Sequence, residues 1–143
     1  MFYRIATAAV LAALIGGAAW AETHEVRMLN AGADKERMVF EPAFLKVAAG
    51  DTVRFVASDK GHNAESLPGM IPEGAEAFKG KINEEIEVTL GVEGLYAVLC
   101  KPHYAMGMVM TIAVGDAAVP EDFLEGRIPP RAKARFEAQL GNL

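Results

Sequence analysis

The stretch Leu95-Tyr96-Ala97-Val98-Leu99-Cys100-Lys101-Pro102-His103-Tyr104-Ala105-Met106-Gly107-Met108-Val109-Met110-Thr111-Ile112-Ala113-Val114 places two apolar runs on either side of a polar, proline-bearing turn. Gly91 to Gly94 precede the first run and Gly115-Asp116 follow the second, so each reads as a short strand bounded by turn residues. The turn itself holds one thiol, one imidazole and one thioether at the spacing C-x2-H-x4-M.

Outward from this pair, the chain keeps a strand-like period of two. Residues His24 to Leu29 alternate, with Val26 and Met28 on one face. Val39-Phe40-Glu41-Pro42 is an extended piece that proline breaks, and Phe44-Leu45-Lys46-Val47 resumes it. Ala49-Gly50-Asp51 turns the chain into Thr52–Ala57, and Glu85–Leu90 sets Ile86, Val88 and Leu90 on one face. Six or seven short strands separated by turn signals predict an all-β fold, a β-sandwich with Greek-key connections.

Two regions depart from that pattern. Ser58–Lys81 carries Gly61, Pro68, Gly69, Pro72, Gly74 and Gly80, too many breakers for a long regular element. It reads as a long ordered loop, with a short turn of helix expected near Glu76, and loops of this length in compact domains are usually functional. The tail, from about residue 119 to 143, is expected to be helical. Pro120-Glu121-Asp122 suits a helix start and Gly126 ends that piece. Pro129-Pro130 opens a second helix, in which Ala132, Phe136 and Leu140 fall on one face.

The beginning of the chain reads as a leader. A short n-region ends at Arg4, an apolar Ala-rich run covers Ile5–Ala19, and Ala19-Trp20-Ala21 offers a cleavage site after Ala21. About fifteen apolar residues are few for a membrane span, so residues 1–21 are expected to be a cleaved signal peptide and 22–143 one domain. Without the leader and its single arginine, the 143 residues with 14 basic and 19 acidic side chains become 122 at net charge −6. Such acidity disfavours a general nucleic-acid binder, which needs a basic face for phosphate.

Cysteine usage is the sharpest compositional fact. One Cys in an exported chain can form no internal disulfide, and a lone thiol there tends to oxidise unless something occupies it. His62, 38 residues upstream in the Gly-rich loop, supplies a second imidazole. Two imidazoles, a thiolate and a weak thioether form the ligand set of electron-transfer copper sites. Haem attachment would want a second Cys, structural zinc four strong ligands, and a Cys–His nucleophile pair some third group to orient the histidine. A copper-trafficking or storage protein and a cysteine-dependent enzyme or redox sensor are the competing classes. His24, at the start of the mature chain, reads as a surface residue.

Further stretches carry a family likeness. Met38-Val39-Phe40-Glu41-Pro42, Asp59-Lys60-Gly61-His62-Asn63, Gly69-Met70-Ile71-Pro72, Gly74-Ala75-Glu76-Ala77-Phe78, Lys81-Ile82-Asn83-Glu84 and Cys100 through Met108 occur in order, and together they resemble the cupredoxins, the type 1 blue-copper family. The resemblance implies an eight-stranded cupredoxin-like Greek-key sandwich followed by two C-terminal α-helices, with one type 1 copper ion at one end. It implies His62, Cys100, His103 and Met108 as metal ligands, Asn63 as the tie between ligand loops, and Met38 packed against the exposed histidine. It also implies no enzymatic activity: a monomeric periplasmic one-electron shuttle, away from membranes once cleaved. The implied acceptor is a nitrite reductase or related denitrification enzyme, and the implied donor a cytochrome or similar protein. The docking face lies around His103, with Pro102, Met38, Met106 and Ile71 as apolar contacts and Lys60, Lys79, Lys81 and Lys101 as a basic rim. Lys101, Ala105 and Leu99 depart from residues frequent in relatives, which alters surface charge but not the ligands.

Overall fold

The computed structural model of the chain describes residues 20–143. The leader expected over residues 1–21 lies outside them except for Trp20 and Ala21. Among the described residues, eight strands form two four-stranded sheets: β1 (Thr23–Ala31), β2 (Arg37–Glu41), β3 (Phe44–Val47), β4 (Thr52–Val56), β5 (Glu65–Ser66), β6 (Ile86–Thr89), β7 (Gly94–Leu99) and β8 (Val109–Val114). One sheet has the order β2-β1-β4-β6 and the other β3-β8-β7-β5. Two pairs, β1 with β4 and β3 with β8, are parallel, and the remaining neighbours are antiparallel. None of the described helices is long and apolar enough to cross a membrane.

The two sheets bury different amounts of surface, and the sequence reflects it. Strands β1, β4 and β6 alternate because one face meets the core and the other meets water, as in Val53 and Phe55 against Arg54. Strands β7 and β8 read as unbroken apolar runs because both of their faces are covered. Tyr96, Val98 and Cys100 point between the sheets with Met108, Met110, Ile112 and Val114. Leu95, Ala97, Leu99, Val109 and Ala113 point outward, where Phe123, Ala132 and Phe136 cover them. Cys100, the residue after β7, therefore continues its inward register.

The outer cover comes from the helix α1 (Pro130–Leu140), whose buried residues are Ala132, Phe136 and Gln139. Gln139 satisfies its amide inside this layer: its Oε1 accepts the Thr111 hydroxyl at 2.9 Å and its Nε2 donates to the Val109 carbonyl at 3.0 Å. The first of the two expected tail helices is not a helix. Residues 121–124 form turns closed by bonds of the Phe123 N–H to the Pro120 carbonyl (3.0 Å) and the Glu125 N–H to the Asp122 carbonyl (3.1 Å). Five residues between Pro120 and Gly126 are too few to follow a costly nucleus with propagation. The long loop also differs from expectation: it contains the two-residue strand β5, and the chain near Glu76 is irregular instead of helical.

At the far end of β1 from the loop carrying His62, Asp51 anchors the incoming chain. Its carboxylate accepts the Glu22 N–H (3.0 Å), the His24 ring nitrogen Nε2 (2.9 Å) and the Ala48 N–H (3.0 Å). The Glu22 N–H, His24 and the Ala48 N–H together hold the Asp51 pKa at about 2 instead of 3.8. A carboxylate whose folded pKa is depressed stabilises the fold above its ordinary pKa and loses that contribution as the pH falls towards the depressed value. The metal-free Asp51→Asn chain should accordingly melt below wild type at neutral pH, with a gap that narrows as pH falls from about 4 to about 2; thermal melts across that range measure it. Phe136, fully buried against Phe123 with ring centroids 6.5 Å apart, gives a second expectation: Phe136→Ala should cost roughly 3–5 kcal/mol in denaturant titrations.

Candidate metal centre

Three donors converge at the end of the sandwich where β7 runs out. The Cys100 Sγ lies 3.7 Å from His62 Nδ1 and 3.6 Å from His103 Nδ1, and the two Nδ1 atoms are 3.1 Å apart. Cys100 and His62 are fully buried, while His103 is partly exposed. The fold brings these three together: side chains 38 and 41 residues apart in sequence share one point. Met108 is fully buried in the core cluster that contains Cys100, and its backbone is knitted to the same turn. The Met108 N–H donates to the His103 carbonyl (3.1 Å) and the Cys100 N–H to the Met108 carbonyl (3.0 Å).

Local structure explains the convergence. Pro102 lies in the first turn of a 3₁₀ segment over Lys101–Met106 that kinks at His103 (φ −119°, ψ 19°), and the His103 N–H bonds back to the Cys100 carbonyl at 3.2 Å, which returns His103 over Cys100. Gly107 ends it at φ +90°, a left-handed conformation that glycine adopts freely. The loop with His62 is fastened just beyond it, because β5 pairs with β7 through Glu65 opposite Leu99. Asn63 then joins the two loops: its Oδ1 accepts the Lys101 N–H at 2.7 Å, and its Nδ2 donates to Glu65 Oε2 and the Gly80 carbonyl, both at 3.0 Å.

Two further residues, to which the sequence reading gave no role, hold His62. Asn30 Oδ1 lies 2.8 Å from His62 Nε2. A carbonyl oxygen can only accept, so Nε2 carries the proton and the Nδ1 lone pair is left facing the thiol. Asn83 accepts the Gly61 N–H on its Oδ1 (2.7 Å) and donates its own N–H to the His62 carbonyl (2.9 Å). Neither was legible, since each contact spans more than twenty residues and an asparagine in a strand end or turn is ordinary.

The electrostatics favour a metal over free-thiol chemistry. Burial lowers the His62 pKa below the ordinary imidazole value and His103 adds to the effect, so the ring stays neutral and able to donate its lone pair. Burial pushes the Cys100 thiol up, against the pull of the Asn63 and His103 backbone N–H groups. A buried thiol of raised pKa is a poor nucleophile by itself, and a cation among the ring nitrogens would ionise it. The spacing fits that cation. Nitrogens about 2.0 Å and a sulfur about 2.3 Å from one centre, at angles of roughly 100–120°, stand roughly 3.1–3.7 Å apart. One soft donor and two intermediate ones suit copper.

A second grouping of possible ligands, Glu22, His24 and Asp51, is accounted for by the anchor at the start of β1. Of the residues expected at a docking face, Pro102 and Met106 are exposed, Met38 and Ile71 are half-buried, and Lys60, Lys79, Lys81 and Lys101 are exposed. Ile82, in the turn that braces His62, is exposed as well.

Comparison with known proteins points to a copper-binding family. Residues 26–115 match the family model described as copper binding proteins of the plastocyanin/azurin family. The chain is 46% identical over 139 residues to the pseudoazurin of Paracoccus pantotrophus, covering 95% of each chain. It is 44% identical over 140 residues to a putative pseudoazurin of Rhizobium leguminosarum bv. viciae, covering 97% of this chain and 90% of that one. Among solved structures, native pseudoazurin from Hyphomicrobium denitrificans superposes with a TM-score of 0.80 at 40% identity, covering 85% of this chain and 98% of that one.

Replacing Asn63 by Leu, similar in volume, should orphan the part-buried Lys101 N–H and the buried Gly80 carbonyl. The expected cost is roughly 2 kcal/mol or more of stability and roughly 10–100-fold in copper affinity, read by denaturation and by chelator competition.

Proposed function

The chain belongs to the plastocyanin/azurin family of copper-binding proteins, among its pseudoazurins, and from that premise we propose that His62, Cys100, His103 and Met108 hold one type 1 copper ion in an exported shuttle serving a nitrite reductase. As a member of that family the protein is a blue-copper electron-transfer protein and not an enzyme. The copper, when bound, supplies a one-electron couple between Cu(I) and Cu(II). The chain does the rest. Cys100 and His62 are sealed from water, Asn30 orients His62, and Asn63 keeps the two ligand loops at one separation, so the donors are set before any metal arrives. Preset donors leave little to rearrange when the charge on the metal changes.

The observation that carries this reading is the meeting of three donor atoms within 4.8 Å of one another at the end of the sandwich. His103 is the one of them that reaches solvent, so its outer edge is where a redox partner would make contact. Exposed Pro102 and Met106 give that contact an apolar centre, and Lys60, Lys79, Lys81 and Lys101 give it a basic rim in a chain of net negative charge. A small apolar centre inside a charged rim suits brief encounters: charge raises the on-rate and the limited apolar area permits quick release. The periplasm is the compartment that the first 21 residues support, with a leader-like run ending at Ala21. The likeness to the P. pantotrophus protein over 95% of the chain reaches into those residues.

Stopped-flow mixing of the reduced, copper-loaded mature chain with a copper nitrite reductase tests the proposal. Wild type should be oxidised quickly, and Lys60→Glu with Lys81→Glu should slow the bimolecular rate roughly tenfold at low salt, the difference shrinking as salt is raised. Equal rates at low salt would remove the docking role of the lysines, and no oxidation of wild type would remove the proposed partner.

A further inference from the structure

Helix α1 lies outside the sandwich, yet one of its side chains reaches the turn that holds the copper ligands. The Arg135 guanidinium makes four hydrogen bonds to two separate segments. Its Nη1 donates to the Met38 carbonyl (2.6 Å) and to the Gly107 carbonyl (2.9 Å). Its Nη2 donates to the Arg37 carbonyl (2.8 Å) and to Glu36 Oε2 (2.9 Å). These partners stand 97, 28, 98 and 99 residues from Arg135 in sequence. A planar, permanently charged fork is the side chain that can bridge several carbonyls at fixed angles, whereas a lysine ammonium cannot hold the same set.

What the fork holds is unusual on both sides. Gly107 sits between the 3₁₀ helix and Met108, and its N–H is already committed to the Tyr104 carbonyl (2.9 Å). A Cβ at Gly107 would come within 3.2 Å of the Arg131 backbone, so the turn rests directly on α1 with no slack. Met38 has φ +53°, a left-handed conformation that is costly for a residue other than glycine. Its side chain packs against the core cluster that contains Cys100 and Met108. With the Gly107 carbonyl fixed, the next residue, Met108, has its backbone held from three directions: by Arg135 through Gly107, by the His103 carbonyl and by the Cys100 N–H.

We propose that Arg135 is a positioning residue for the copper centre: by clamping the Gly107 and Met38 carbonyls it fixes the place of Met108 relative to Cys100 and His103. This rests on Met108 being a ligand, as proposed above. A thioether at the weak, long position tunes such a site through small changes in its distance, and the clamp makes α1 the element that sets that distance. Glu36 and the Arg37 carbonyl hold the guanidinium in place, and the two other carbonyls transmit that placement.

The test compares copper-loaded wild type with Arg135→Gln, Arg135→Lys and Phe136→Leu. Phe136 is buried on the same helix but touches neither Gly107 nor Met38 by hydrogen bond, so Phe136→Leu reports plain loss of packing. Arg135→Gln should change the relative intensity of the visible thiolate-to-copper bands and lower Cu(I) affinity by chelator competition roughly tenfold. Arg135→Lys should shift both in the same direction by less, and it keeps the charge should the Gln variant fail to fold. Phe136→Leu should lower the melting temperature and leave band ratio and affinity at wild-type values. Unchanged band ratio and affinity in the Arg135 variants, with a lowered melting temperature, would overturn the proposal and leave Arg135 a structural tie. A wild-type chain with no intense visible band at one copper per chain would overturn the ligand assignment itself, and this inference with it.

Discussion

The bond from the Lys101 N–H to Asn63 Oδ1, 2.7 Å long and part-buried, joins two loops that the sequence keeps 38 residues apart. One carries His62, the other Cys100 and His103. Asn63 cannot swing, because its Nδ2 is committed to Glu65 and to the Gly80 carbonyl. Glu65 in turn is fixed by pairing with Leu99 on β7, one residue before the cysteine. The separation of the donors is thus set by a chain of short contacts, each satisfying a polar group that burial would otherwise penalise. In a dry site this arrangement is stiff, and stiffness is what a centre that changes only its charge requires.

That stiffness depends on the sandwich behind it. Strands β7 and β8 are covered on one face by the opposing sheet and on the other by α1 and the Phe123 turn. A strand pair packed on both faces has little freedom to slip, so the residues at its open end, Cys100 and Met108, inherit a fixed spacing. The helix adds more than cover, since Gln139 bonds to β8 and Arg135, four residues before it, bonds to the ligand turn. The partly exposed His103 stands on this rigid end.

Much of this was legible in the residues. The alternating strands β1, β4 and β6 announced themselves because each has one wet face. The runs around β7 and β8 were equally plain, though a continuous run does not say what covers its second face. The spacing of Cys100, His103 and Met108 was readable because one short turn enforces it. Elements held only by distant partners were not readable. Strand β5 has two residues and exists because Leu99 and Val98 are beside it. The piece after Pro120 carries helix-start residues but stops before propagation could stabilise it, so propensity pointed to a helix that the chain has no length to complete. Asn30, Asn83 and Arg135 act through bonds to residues far along the chain, and no local pattern marks them.

The claim on which everything rests is that the buried thiol and the two facing imidazoles bind one copper ion as a thiolate site. Titration of the mature chain, Glu22 to Leu143, with Cu(II) under visible absorption, beside Cys100→Ser, tests it most directly. An intense blue or green band that saturates at one copper per chain and vanishes in the serine variant is the result this account predicts. A pale spectrum typical of copper on surface histidines, unchanged by the substitution, would contradict it.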